Sequence, residues 1–137
     1  MPNKTSAIEW LRLSYHDLSS AKILYDAKHY TDTIGSLLQQ SIEKCMKSLL
    51  AYENKKILKS HDLVEIYSQV SKVINLNDDL EWLEIATNYY TEDRYPNPNY
   101  ELPTRDEIHE LLQFAEQLFV KVCKLLDIDM KDIVNVR

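Results

Sequence analysis

A single glycine, Gly35, stands in the whole chain, and three of its four prolines fall between Pro96 and Pro103. Glycine lets a backbone enter the left-handed region without steric penalty, and tight turns and phosphate-cradling loops depend on it. A chain of 137 residues with one glycine has no material for a Gly-rich phosphate loop, a collagen-like repeat or a Gly-rich linker. The composition points instead to long helices. At about 150 residues per domain the length gives one domain, 1–137, large enough to bury roughly two thirds of its unfolded surface. Hydrophobic residues at 45% and charged residues at 28% are the balance of a folded chain rather than a disordered one.

Apolar residues recur three and four apart, the period of amphipathic helices. The spacing predicts a first helix from about Ser6 to Ala27, with Ser6 as N-cap and Glu9 as its capping-box partner. Ile8, Leu11, Tyr15, Leu18, Ala21 and Tyr25 form its core-facing stripe, and Lys22, inside the stripe, must snorkel outward. A second helix runs from about Tyr30 to Asn54, with Ile34, Leu37, Leu38, Ser41, Ile42, Cys45, Leu49 and Tyr52 inward. Gln39, Gln40, Glu43, Lys44 and Lys47 are left for its remaining surface. Gly35 lies inside this helix at a cost of about 1 kcal/mol against Ala, which close packing on the first helix would offset.

Ser60 caps a predicted third helix, His61 to Ile74. Asn77 or Asp78 caps a fourth that ends near Tyr90. Pro96, Pro98 and Pro103 forbid a helix through the next segment. The last long helix starts at Thr104, with Glu107 completing its capping box, and stops near Asp127. The tail from Ile128 to Arg137 reads as a docked turn or a partner-binding strand. No strand alternation competes. The expected fold is all-α, an antiparallel up-and-down bundle of four main helical elements in which short helices three and four together span one bundle length.

The net charge of -6, from 16 basic and 22 acidic residues, argues against DNA and disfavours long RNA, because few cations remain to track a backbone. No stretch reaches the ~18 apolar residues of a membrane span, and the N-terminus carries no apolar signal core, so a cytoplasmic protein is expected. Cys45 and Cys123 both lie in apolar periodic segments and read as buried thiols. With no HExxH, no CxxC and 4 His, neither a metal site nor a metal cofactor is expected. No nucleophile elbow exists for a Ser-His-Asp hydrolase.

Two polar constellations stand out. Glu43 and Lys47 sit four apart with Gln40 on the same side; His61 and Asp62 open the third helix; Tyr89 and Tyr90 precede Arg94 and Tyr95. Gathered in one groove, these would offer a guanidinium fork for phosphate, an ammonium, an imidazole and aromatic platforms for a base. The plainer alternative is a surface Glu43–Lys47 ion pair, an Asp62 helix cap, and Arg94 paired with Glu92 or Asp93. Separately, Arg105 and His109 share a face of the last helix, and such a pair could bind a phosphate and move a proton in metal-free RNA cleavage, although Asp106, Glu107 and Glu110 surround it.

The opening WLRLSYHDLSSAKILYDAKHY, the stretch SLLQQSIEKCMKSLLAYE, then SHDL and NYYTEDRYP occur in an order that resembles the HEPN domains. The likeness covers about Ile8 to Leu126. It implies a helical bundle, a two-fold homodimer, and for many members a minimal nucleotidyltransferase partner in a toxin–antitoxin or stress-response pair. Other members are metal-independent RNases, marked by an Arg, then four to six residues, then a His. Here Arg94 has no histidine at that distance, and Arg105 and His109 are separated by three residues. The resemblance is therefore to the non-nucleolytic members, and it implies a surface for a nucleotide such as ATP, or for a protein partner, in a family once proposed as nucleotide-binding. It implies Arg94, Tyr95 and the Lys44 and Lys47 side of the second helix as the ligand surface, to which the polar constellation adds His61 and Tyr90. Arg105 and His109 stay as the RNase alternative, and a ligand-free structural homodimer is a third reading. Tyr89 and Tyr95 become candidate points for covalent nucleotide attachment.

Overall fold

A computed structural model describes residues 2–90 and 101–134. Among them six α-helices form: α1 (Lys4–Asp26), α2 (Thr31–Tyr52), α3 (Leu63–Val70), α4 (Leu80–Thr87), α5 (Arg105–Leu125) and α6 (Lys131–Val134), with a 3-10 turn at Asn77–Asp79 leading into α4. The long helices are α1, α2 and α5, and the pair α3 and α4 makes the fourth side of the bundle.

Helix α2 is the hub. It touches α1, α3, α4 and α5, and 15 of its 22 residues are buried. A helix enclosed on so many sides must bury more than an apolar stripe, so Gln39, Glu43 and Lys47, expected on the surface, lie inside the fold. Its closest partner is α1. Ser14 donates its hydroxyl to the Ser41 carbonyl at 2.7 Å, and Ser41 returns a bond to the Ser14 carbonyl at 3.0 Å. Two small buried residues thus let the backbones approach while both hydroxyls keep a partner. Tyr15 packs on Phe119, their centroids 5.7 Å apart, which ties α1 to α5.

The helix starts differ from expectation in three places. One of them is α4, which begins at Leu80 behind Asp79, with Asn77 and Asp78 inside the preceding 3-10 turn rather than capping the helix. Helix α1 is capped by Asn3, whose side chain accepts from the Ser6 amide at 3.0 Å, so Ser6 lies inside the helix. Asn caps as well as Ser, and Asn3 is also held by its own amide donating to the Tyr52 carbonyl at 2.7 Å. Helix α3 is capped by Asp62, which accepts from the amides of Val64 and Glu65, while Ser60 accepts from the Asp62 amide. It is also shorter than predicted, ending at Val70. Helix α4 stops at Thr87, before Tyr90. Thr104 caps α5 as expected, accepting from the Glu107 amide at 3.1 Å. The tail docks as α6: Ile128 and Ile133 enter the core, and Arg12 donates to the Asp132 carbonyl at 3.1 and 2.9 Å.

The three long helices end without glycine. Lys28 (φ 58°), Asn54 (φ 58°) and Asp127 (φ 52°) occupy the left-handed region. In each case the following amide reaches back five residues, from His29 to Leu24, Lys55 to Leu50 and Ile128 to Cys123, all at 2.9 Å. This is the Schellman stop. Asn and Asp tolerate that backbone, whereas Lys is strained in it. Lys28→Gly is expected to raise stability by roughly 0.5–1 kcal/mol, strain relief outweighing the extra freedom of the unfolded chain; urea unfolding measures it, and an unchanged midpoint would refute it.

Gly35 does not serve the α1–α2 contact. A β-carbon there would fall 2.9 Å from Cγ and Cδ2 of Tyr89, so the glycine makes room for an aromatic ring beyond α4. Both cysteines are buried. Burial pushes the Cys123 thiol up to about 11; burial and the neighbouring Cys123 push Cys45 higher still. Both thiols are therefore protonated and inert at neutral pH. No described helix is long and apolar enough to cross a membrane.

Candidate functional site

Four residues of α2, Gly35, Gln39, Glu43 and Lys47, follow one another at intervals of four and so form one ridge. The ridge meets the turn after α4 at Gly35 and the segment entering α3 at Gln39 and Glu43. Glu43 lies at its centre. One carboxylate oxygen accepts from Lys47 Nζ at 2.9 Å. The other accepts from His61 Nδ1 at 2.8 Å and from Gln39 Nε2 at 3.1 Å. Side-chain exposure is 10% for Glu43 and 7% for Lys47, so this is a buried pair rather than the surface pair that composition suggests.

The network fixes its own proton assignments. An ionised carboxylate only accepts, so His61 carries a proton on Nδ1. Gln39 Nε2 faces two acceptors, the Glu43 carboxylate and the His61 carbonyl at 3.1 Å. Turning the amide over would set oxygen against both. Its Oε1 is consequently buried with no hydrogen-bond partner among the described residues. On the outer side, the His61 ring stacks on Tyr90, with centroids 3.9 Å apart and planes 15° from parallel. The His61 side chain is 44% exposed, so a planar polar-edged ring is anchored by a buried carboxylate and still reaches solvent.

Burial alone pushes the Glu43 carboxyl up. The hydrogen bonds from Lys47, His61 and Gln39, and the charge of Lys47, together outweigh it and hold the group below its ordinary value. A carboxylate held low in the folded state adds stability that is complete above the ordinary carboxylate range and is lost as pH falls through the folded value. The acid limb of the pH–stability curve should therefore flatten in Glu43→Gln. Urea midpoints between about pH 7 and pH 3 that fall in parallel for both proteins would contradict this.

The structure brings Lys47, His61 and Tyr90 together and adds Glu43 and Gln39. It does not bring Lys44: one position round the helix from Glu43, its ammonium pairs with Asp17 of α1 at 2.6 Å. Gln40, expected beside Glu43, instead donates to Ser36 at 3.4 Å. Arg94 and Tyr95 lie outside the described residues. Tyr89 is 7% exposed, with its ring against Gly35 and its hydroxyl donating to Glu107, which leaves it poorly placed for covalent attachment. Arg105 donates to the carbonyls of His29 at 2.9 Å and Tyr25 at 3.0 Å and covers the Tyr25 ring at 5.1 Å. The His109 ring lies 5.5 Å from the same tyrosine. The pair thus closes the C-terminal end of α1, where a guanidinium satisfies terminal carbonyls.

A family model described as the HEPN domain matches residues 7–126. Two solved structures share the architecture. TT1696 from Thermus thermophilus superposes with a TM-score of 0.74 at 23% identity, covering 87% of this chain and 97% of that one. ST0689, described as an archaeal HEPN homologue, gives 0.67 at 22% identity, with 88% and 97% covered. At these identities the likeness is one of fold. No curated protein matches the chain.

Proposed function

The chain belongs to the HEPN domain family, and on that footing we propose that it is a non-catalytic module that binds a nucleotide at the His61–Tyr90 corner. The observation that carries this reading is the stacked pair at 3.9 Å, fixed from beneath by Glu43. Such a surface accepts a nucleobase, and base stacking on an aromatic contributes roughly 1–3 kcal/mol. Lys47 holds the carboxylate that positions His61, and the phosphates fall to other cations, with Arg94 the residue assigned to them. Family membership makes a minimal nucleotidyltransferase, in a toxin–antitoxin or stress-response pair, the proposed protein partner, with a homodimer as the assembly.

Calorimetric titration with ATP and Mg²⁺ tests the ligand. Saturable binding is expected for the native protein, weakened about 5- to 150-fold in His61→Ala if one stacking contact is lost. Silence with both ATP and GTP, or equal affinity in the variant, would overturn the reading.

A further inference from the structure

Where α1 turns into α2 and α5 begins lies a second cleft of about 510 Å³. We propose that it is an anion site that takes a phosphate group. Lys28, His29, Tyr30, Thr31, Pro103 and Arg105 are among the residues that line it. Two of these, Lys28 and Arg105, are cations, His29 adds an imidazole, and no carboxylate is among the described lining residues, in a chain whose net charge is -6. A cleft of one sign set in a surface of the other concentrates counter-ions of its own choosing.

The cations are positioned rather than loose. The Arg105 guanidinium is held by the carbonyls of His29 and Tyr25 and by the Tyr25 ring. Those bonds use one donor on each terminal nitrogen and leave further N–H groups of the fork for a ligand. His29 stands edge-on to Tyr30, with centroids 5.3 Å apart. Lys28 is exposed and sits in the left-handed region, a backbone that glycine would fill with less strain. Lys28 thus lines the cleft from a backbone conformation that strains it. The N-terminus of α2 carries a partial positive charge, partly offset by Asp32 of its first turn, which accepts from the Thr33 amide at 2.9 Å. Asp26 and Asp106, near Lys28 and Arg105 in sequence, are not among the described lining residues.

This site is separate from the His61 corner. Thr31 and Glu43 are twelve positions apart on α2, which is ~18 Å at about 1.5 Å per residue. The ligand chemistry is a tetrahedral oxyanion, which either free phosphate or a phosphomonoester supplies.

Thermal unfolding at constant ionic strength, with inorganic phosphate or glycerol 3-phosphate replacing chloride, tests the proposal. At about ten times the dissociation constant the midpoint should rise by about 3–5 °C in the native protein, and equally in His61→Ala, whose nucleotide corner is damaged. In Lys28→Gly, which the fold tolerates, the rise should shrink to the small general effect of phosphate on any protein; Arg105→Gln should behave likewise. A rise with both probes identifies a phosphomonoester site, and a rise with inorganic phosphate alone a free-anion site. Equal rises in the native protein, Lys28→Gly and Arg105→Gln would overturn the proposal, as would no rise in the native protein. Failure of ATP to bind at His61 would leave these results unaffected.

Discussion

Glu43→Ala is expected to destabilise the protein by about 3–5 kcal/mol, because it strands a buried charge. The Lys47 ammonium, 7% exposed, would lose the carboxylate it donates to, and Gln39 and His61 would each lose an acceptor. An exposed pair of the same residues would contribute only a few tenths of a kcal/mol, so burial decides the size of the effect. Removing both charges should undo most of the damage: Glu43→Leu with Lys47→Met leaves no ion behind and fills the space with apolar atoms. Urea unfolding of Glu43→Leu, Lys47→Met and the double variant forms the cycle, with Glu43→Ala measured beside it. A loss below about 1 kcal/mol in Glu43→Ala would show the network to be solvated, and a double variant as unstable as the single one would show that the charges are not coupled.

Gly35→Ala comes next in size. Alanine is normally the better helix former by about 1 kcal/mol, and at an exposed site the change would stabilise. Here the new methyl would lie 2.9 Å from the base of the Tyr89 ring. That ring is buried and its hydroxyl is engaged by Glu107, so it cannot simply swing aside. Overpacking of this kind costs roughly 1–3 kcal/mol, and the net result is a loss of up to ~2 kcal/mol. The effect should also reach the candidate site. Tyr90 follows Tyr89 directly, and a displaced Tyr89 carries its neighbour off the His61 ring. Thermal unfolding and ATP titration should therefore both worsen in Gly35→Ala; a variant more stable than the native protein would show that Tyr89 yields without resistance.

Much of the fold is legible in the residues. The scarcity of glycine and the three- and four-residue spacing give the helices, and Thr104 with Glu107 marks the start of α5. Asn3 and Ser6 are equally good caps, and the choice between them is made by a distant contact, the bond from Asn3 to Tyr52. The site is legible only in part. Lys47, His61 and Tyr90 stand out by chemistry. Glu43 and Gln39 read as surface residues because charged and amide side chains usually lie there. What buries them is the number of helices packed on α2, a property of the whole bundle. The interval of four linking Gly35, Gln39, Glu43 and Lys47 is the available signal, since a polar ridge that includes the only glycine marks a face under close packing. The partner of Gly35 could not be read locally, because Tyr89 is more than fifty positions away.

Whether a nucleotide stacks at His61 is tested most directly by proton NMR of the histidine rings during titration with ATP, with His61→Gln identifying the resonance among the 4 histidines. The His61 ring protons are expected to move upfield and saturate with added ATP, as a base covers the imidazole, while those of His16 stay in place. A His61 resonance that stays fixed through the titration, whatever the other histidines do, would contradict nucleotide binding at this corner.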